Sequence, residues 1–327
     1  MENLNGNLKF DYDIAFCKIE FILDWYKMIK NFLDYVELRT KITSLFAFLM
    51  TIAYLVYKGE KINVNVTIIF FTSMFLFDMT TTAINNYIDS KHDPDSMHYK
   101  KGLALGIILT LLGLSTALGI YLAFLTDIVI LLAGGLCFIF GVLYTYGPVP
   151  ISRQPLGEIL SGFFYGVMIP FIIIYINTPS GDLLSLNYSL ESVSVEVKVI
   201  PILTLLLFAI VPFCTTAAIM LANNICDVEK DIKVKRHTLP YYIGEKAKYL
   251  FAGLYYASYV AILFLVIIKE LPVTCILTLL TIFFVQNNIK QFLKKQEKSV
   301  TFVLSIKNYL LIMGSNTAFI CLGTIVF

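Results

Sequence analysis

Residues 199–231 read VIPILTLLLFAIVPFCTTAAIMLANNICDVEKD. The part from 199 to 222 is almost wholly apolar and meets the roughly 20 residues needed to cross a bilayer as a helix. The part that follows, NNICDVEKD, crowds amides and carboxylates onto its end. Such a segment reads as a membrane span that delivers oxygen-bearing side chains to one face of the bilayer. The rest of the chain agrees: 58% of its 327 residues are hydrophobic and 15% are charged, against about 25% charged in globular proteins. Mean hydropathy is +0.77. A soluble chain of this length needs more charged surface, so the composition predicts an all-α, polytopic membrane bundle.

Eight further apolar runs accompany this one, giving nine predicted spans: 43–57, 63–84, 102–125, 128–146, 157–177, 199–222, 250–268, 271–289 and 302–327. With the N-terminus inside the cell, all but Lys58, Lys61, Lys198 and Lys269 of the 25 basic residues fall on inner segments. The positive-inside rule therefore predicts a multi-pass protein of the cell membrane with a cytoplasmic N-terminus. Residues 10–38 alternate charges and aromatics at helical spacing and predict an amphipathic helix on the inner surface. The chain divides into an interfacial segment, 1–42, and a nine-helix domain, 43–327. The polar, serine-rich stretch 178–198 reads as a solvated outer connector.

Other classes fit poorly. A net charge of +2 gives no basis for a nucleic-acid partner, and 3 histidines give none for a histidine-rich metal site. The 6 cysteines lack paired spacing and read as small core residues. The opening MENLNGNLKF has no leader pattern.

The acidic end of the sixth span has a counterpart. Residues 85–93, NNYIDSKHD, superimpose on 223–231 without a gap as NN-x-x-D-x-x-x-D. Each copy ends a span, the second and the sixth, at the inner face. Spacing by four places Asn85, Asp89 and Asp93 on one helical face, and Asn223, Asp227 and Asp231 on another. Carboxylates brought together repel and lose hydration unless cations lie between them. Hard oxygen donors favour Mg²⁺, an ion usually shared between one or two carboxylates and the phosphates of a substrate. The pair of boxes therefore predicts a Mg²⁺–diphosphate site, with Asn86 and Asn224 behind the ligands. Lys91, His98, Lys100, Lys101, Lys235 and Arg236 follow the boxes and can neutralise residual diphosphate charge. Asp78, two turns before Asn85 inside an apolar span, reads as a residue lining a polar cavity behind the metal or as a protonated core acid.

These boxes resemble those of the UbiA superfamily of intramembrane prenyltransferases, whose members have nine transmembrane helices with Asp-rich motifs on the second and sixth. Within that superfamily, NNICDVEKDIKVKRHTLPYYIGEKA at 223–247 and YTYGPVPISRQPLGEILSGFFYG at 144–166 resemble 1,4-dihydroxy-2-naphthoate polyprenyltransferases of menaquinone synthesis. Asn223, Asn224, Asp227, Asp231, Lys235, Arg236, Thr238, Leu239 and Gly244 match in the first stretch. Cys226 stands for the usual Arg, Val234 for the usual Gly, and His237 is inserted. In the second, Tyr144, Gly147, Pro148, Pro150, Leu156, Gly157 and Glu158 match, while Ser152-Arg153 replaces an aromatic-Arg pair.

The resemblance implies Mg²⁺-dependent transfer of a polyprenyl group from a polyprenyl diphosphate to an aromatic acceptor, 1,4-dihydroxy-2-naphthoate first. It also implies a lipid-facing tunnel for the isoprenoid tail and an active site near the cytoplasmic face. Asp89, Asp93, Asp227 and Asp231 are the expected catalytic carboxylates, and Lys91, Lys101, Lys235 and Arg236 the diphosphate contacts. Tyr144 and Tyr146 are candidates to face an allylic cation. Arg153 and Arg39 are candidates to bind the acceptor or the diphosphate, Arg39 also reading as an interface anchor. Glu158 is expected to cap its helix or orient Arg153. The alternatives are another acceptor, such as 4-hydroxybenzoate or a lipid precursor, and, from a different class, a secondary transporter.

Overall fold

The computed structural model describes residues 23–90, 99–147, 150–189 and 191–326. Among them, nine helices are long and apolar enough to cross a membrane. They are α1 (Leu38–Tyr57), α2 (Val64–Asp89), α3 (Lys101–Leu125), α4 (Ile128–Thr145), α5 (Gly157–Asn177), α6 (Val199–Lys233), α7 (Lys246–Ile267), α8 (Val273–Lys294) and α9 (Phe302–Val326). The predicted count holds. The largest shift is at α6, which runs to Lys233 because the acidic box is itself helical. α2 likewise continues to Asp89.

α6 lies at the centre, packed on α5, α7 and α9. Its Phe208, Val211, Ala218, Leu221 and Ala222 are fully buried with Phe251, Tyr255, Ile262 and Leu265 of α7. α3 and α4 are the contrast: only 22% of each hydrophobic window is buried, and Leu109, Phe124 and Leu132 stand exposed. Apolar faces of that extent suit hydrocarbon, where a helix satisfies its own backbone polar groups.

Links between connectors follow strict alternation. At one face, the α1–α2 and α7–α8 connectors meet where Tyr54 and Lys58 bind Glu270 at 3.0 and 2.8 Å. There too, Asn177 at the end of α5 accepts from the Asn63 backbone at 2.7 Å, and Tyr175 donates to Asp127, the N-cap of α4. At the other face, the α4–α5, α6–α7 and α8–α9 connectors reach one another and the end of α6. Since α2 and α6 run in the same direction, both acidic boxes emerge on this second face, called here the box face.

Two features depart from the expected all-helical chain. The 178–198 stretch contains an antiparallel hairpin, β1 (Leu184–Tyr188) with β2 (Val193–Val197), in register Leu184↔Val197 through Tyr188↔Val193. Period-two alternation, LSLNY and VSVEV, is the signal for it, masked by the serine-rich composition. The second departure is the irregularity of four spans: π-helical turns at Gly162–Met168 and Leu310–Gly314, and 3₁₀ stretches at Leu38–Lys41 and Val273–Thr281.

Of the expected interfacial helix, residues 10–22 lie outside the described residues. Residues 23–35 are helical and end against α2. The Tyr35 hydroxyl donates to the Ala83 carbonyl at 3.0 Å. Burial, with Tyr87 and Tyr99 nearby, pushes that hydroxyl's pKa up to about 12, so it remains a donor at ordinary pH.

Candidate active site

The two boxes use their paired asparagines in the same way. In each, the first asparagine shares a helical face with the aspartate four residues on, and the second turns aside to brace the helix. Asn85 Nδ2 donates to Asp89 Oδ2 at 3.3 Å, while Asn86 Nδ2 donates to the Tyr35 carbonyl at 2.8 Å. In the second box, Asn223 and Asp227 both accept from the Lys298 ammonium, while Asn224 Nδ2 donates to Glu158 Oε1 at 2.8 Å. Asn86 and Asn224 thus fix the orientation of the box helices.

Asp93, Lys91 and His98 lie outside the described residues. Among the described residues, no three His, Cys, Asp or Glu side chains gather as a metal cluster. Of the four expected carboxylates, Asp89, Asp227 and Asp231 are described: each helix end carries an Asn–Asp pair, and the second box adds Asp231. That donor set still fits a hard cation. Asn223 Oδ1 and Asp227 Oδ2 already enclose a positive charge, that of Lys298. Asp231 Oδ2 is buried without a hydrogen-bond donor and is 3.9 Å from Arg236 Nε.

Arg236 is the base that holds the connectors together. Its Nε donates to the Ser152 carbonyl at 2.8 Å, and its backbone N–H donates to the Asp231 carbonyl at 2.9 Å. The next residue, His237, donates from its backbone to the Arg153 carbonyl at 3.2 Å. Val234, which the resemblance read as standing for a glycine, sits at φ −100° and requires none. The left-handed residue is Lys235, at φ 56°, with its side chain exposed. Gly244, which matches the family pattern, has φ 56° and ψ −133°, a conformation that side chains disfavour.

Tyr144 lies partly buried with its hydroxyl 3.7 Å from Met220 Sδ, and Ser161, Arg236 and Glu158 are its polar neighbours. Tyr146 is 63% exposed and does not share that position. Arg153 and Arg39 are exposed; Arg153 enters the cluster through its backbone. Glu158, expected to cap its helix or orient Arg153, lies in the first turn of α5, buried against Asn224, and its second oxygen has no hydrogen-bond donor. Lys101 opens α3 and lines a small recess with Tyr35, Asn86, Tyr87 and Tyr99.

Asp78, read from the sequence as a cavity-lining residue or a protonated core acid, is 4% exposed. It is buried in an ion pair with Lys41, whose ammonium lies 2.9 Å from both Oδ1 and the Asp78 carbonyl. Ser44 donates to Oδ2 at 2.7 Å and Tyr165 to Oδ1 at 2.8 Å. Sequence reading missed Lys41 here, since a base near a span end passes for an interface residue. It missed Lys298 for the same reason: the run KKQEKS reads as positive-inside charge.

The UbiA prenyltransferase family matches residues 45–310. The chain belongs to that family. Membership sets aside the transporter alternative. A 1,4-dihydroxy-2-naphthoate octaprenyltransferase of Bacillus subtilis (strain 168) is 28% identical over 221 residues, covering 62% of this chain and 65% of that relative's length. Solved structures share the fold. A digeranylgeranylglyceryl phosphate synthase structure superimposes with a TM-score of 0.61 at 16% identity, covering 92% of this chain and 100% of the other. A UbiA homolog from Aeropyrum pernix K1 gives 0.59 at 14%, covering 88% and 98%. A UbiA homolog from Archaeoglobus fulgidus bound to DMAPP and Mg2+ gives 0.57 at 14%, covering 89% and 99%.

Proposed function

We propose that this UbiA-family protein transfers a polyprenyl group from a polyprenyl diphosphate to 1,4-dihydroxy-2-naphthoate in a Mg²⁺-dependent reaction at the cytoplasmic face of the cell membrane. The observation that supports it most is the convergence of Asn223 and Asp227 oxygens on one positive charge, the Lys298 ammonium, in a motif that recurs at the end of a second helix running the same way. The Bacillus relative and the Archaeoglobus homolog's ligands point the same way.

In this reading Asn85, Asp89, Asn223, Asp227 and Asp231 hold the metal, with Asp93 completing the first box. When bound, Mg²⁺ supplies positive charge that stabilises the diphosphate as the allylic C1–O bond breaks. Lys91, Lys101, Lys235 and Arg236 meet the remaining phosphate charge. Tyr144, near Arg236 and Glu158, would supply the aromatic ring that stabilises the allylic cation, and Arg153 or Arg39 would receive the acidic acceptor. Asn86, Asn224 and Glu158 keep the box helices oriented. Apolar helix faces exclude water, which would otherwise capture the cation.

The test is the full chain purified in detergent, supplied with a polyprenyl diphosphate, Mg²⁺ and either 1,4-dihydroxy-2-naphthoate or 4-hydroxybenzoate. Prenylated naphthoate and released pyrophosphate are expected, abolished by a chelator. Asp89→Ala and Asp227→Ala should each lower turnover by at least about 100-fold, the scale of losing one preorganised charge contact. Near-wild-type turnover in either variant overturns the metal assignment. Prenylation of 4-hydroxybenzoate alone overturns the acceptor.

A further inference from the structure

The α8–α9 connector carries no part of the repeated motif, yet among the described residues it supplies the side chain seen between the two oxygens of the second box. Its course is fixed by its own hydrogen bonds. Gln296 Nε2 donates to the Phe292 carbonyl at 2.6 Å. The Glu297 N–H donates to Thr301 Oγ1 at 2.8 Å, and the N–H groups of Thr301 and Phe302 return to the Glu297 carbonyl at 2.8 and 3.1 Å. Lys295 pairs with the Glu297 carboxylate at 2.7 Å. Lys298 follows directly, with its ammonium 5.7 Å from the Phe302 ring centre and in contact with Asn223 Oδ1 and Asp227 Oδ2. A lysine on an unstructured connector would have many other places for its charge; this one is directed at the box.

An ammonium and a divalent ion compete for the same two oxygens, because like charges at contact distance repel strongly. The lysine side chain is 49% exposed and Asp227 23% exposed, so the pair is open to exchange and moderate in strength. A flexible four-carbon stem lets the ammonium move aside while staying within a few ångströms of the box. An anion arriving with the metal then meets a free ammonium beside it.

We infer that Lys298 is the resident counter-ion of the second box: it gives way to the divalent cation and then contacts the diphosphate. Metal loading at this box is a charge exchange, and diphosphate favours it by taking up the displaced ammonium. This inference rests on the metal site proposed above.

Two binding measurements on the full chain in detergent test it. One is Mn²⁺ binding without diphosphate, read from the electron paramagnetic resonance of free Mn²⁺. The other is calorimetric binding of inorganic pyrophosphate in Mg²⁺. Lys298→Met should bind Mn²⁺ roughly three- to tenfold tighter and pyrophosphate three- to tenfold weaker, the range for losing one partly exposed charge contact. Lys298→Gln should shift both in the same directions, with wild-type unfolding temperatures confirming the fold. Opposite shifts separate exchange from a structural role, since a displaced connector would weaken both ligands. Both constants unchanged, or both weakened, overturn the proposal. If Asp227→Asn abolishes Mn²⁺ binding while the lysine variants change nothing, the metal site stands and only the lysine's role fails. If Asp227→Asn binds Mn²⁺ normally, the site itself is wrong.

Discussion

Lys41 and Asp78 show how one side chain can organise its surroundings. Removing either partner strands a charge in an apolar interior, which costs about 3–5 kcal/mol. Asp78 also gathers Ser44 and Tyr165, and Lys41 also binds Thr82, so α1, α2 and α5 are tied at one point. Asp78→Ala should therefore lower the unfolding temperature in detergent far more than an ordinary surface substitution. Asp78→Leu combined with Lys41→Met should recover much of the loss. A melt of Asp78→Ala matching wild type would show that the pair is not structural. Of this cluster, only Asp78 was legible in the sequence, as a carboxylate in an apolar run. Its partner stands 37 positions away, and neither periodicity nor composition links the two. The acidic boxes were legible because the same spacing occurs twice. Lys298 was not, because its role depends on a contact across 71 positions.

At the scale of elements, α5 and α6 approach most closely where a β-carbon at Gly166 would overlap the backbone of Phe213. α5 is π-helical there, and α6 has Pro212 just before. Insertion of one residue per turn and loss of one backbone donor both bend helices, and here the two irregularities face each other. Glu158 and Asn224 meet where the same two helices reach the box face, so this spacing controls how the second box is presented. Gly166→Ala should destabilise by about 1–3 kcal/mol, the usual cost of overpacking, and reduce turnover. Gly253→Ala, in α7 with open space around it, should melt at or slightly above the wild-type temperature. Equal effects from both substitutions would refute the packing account. The spans were legible from length and apolarity alone. Their π and 3₁₀ turns were not, since these arise from contacts between helices. The β1–β2 hairpin had a readable alternation, outweighed by composition.

For the whole molecule, alternation of the nine spans among the described residues puts β1–β2 and the acidic boxes on opposite faces, and the basic-residue bias predicts that the box face is the cytoplasmic one. Single cysteines in a cysteine-free background test this in intact cells. Ser192→Cys, beside the hairpin turn, should react with a membrane-impermeant maleimide, whereas Ser299→Cys should react only after permeabilisation. The reverse pattern would invert the topology. Span number follows from sequence because the bilayer imposes one length on every segment. How the helices group around α6 does not follow, since lipid-facing and partner-facing apolar residues look alike.

The ion pair between α1 and α2 also bears on how the chain enters the bilayer. A lone carboxylate within a span carries a cost on insertion that reaches about 2.5–3.5 kcal/mol at the centre, and Asp78 lies within α2 while Lys41 opens α1. Only the short connector from Lys58 to Asn63 separates these two helices, so they can leave the translocation machinery together as a helical hairpin with their charges already neutralised. Asp78, deeper in the second span, thus meets in Lys41 a base that the first span has already brought to the membrane.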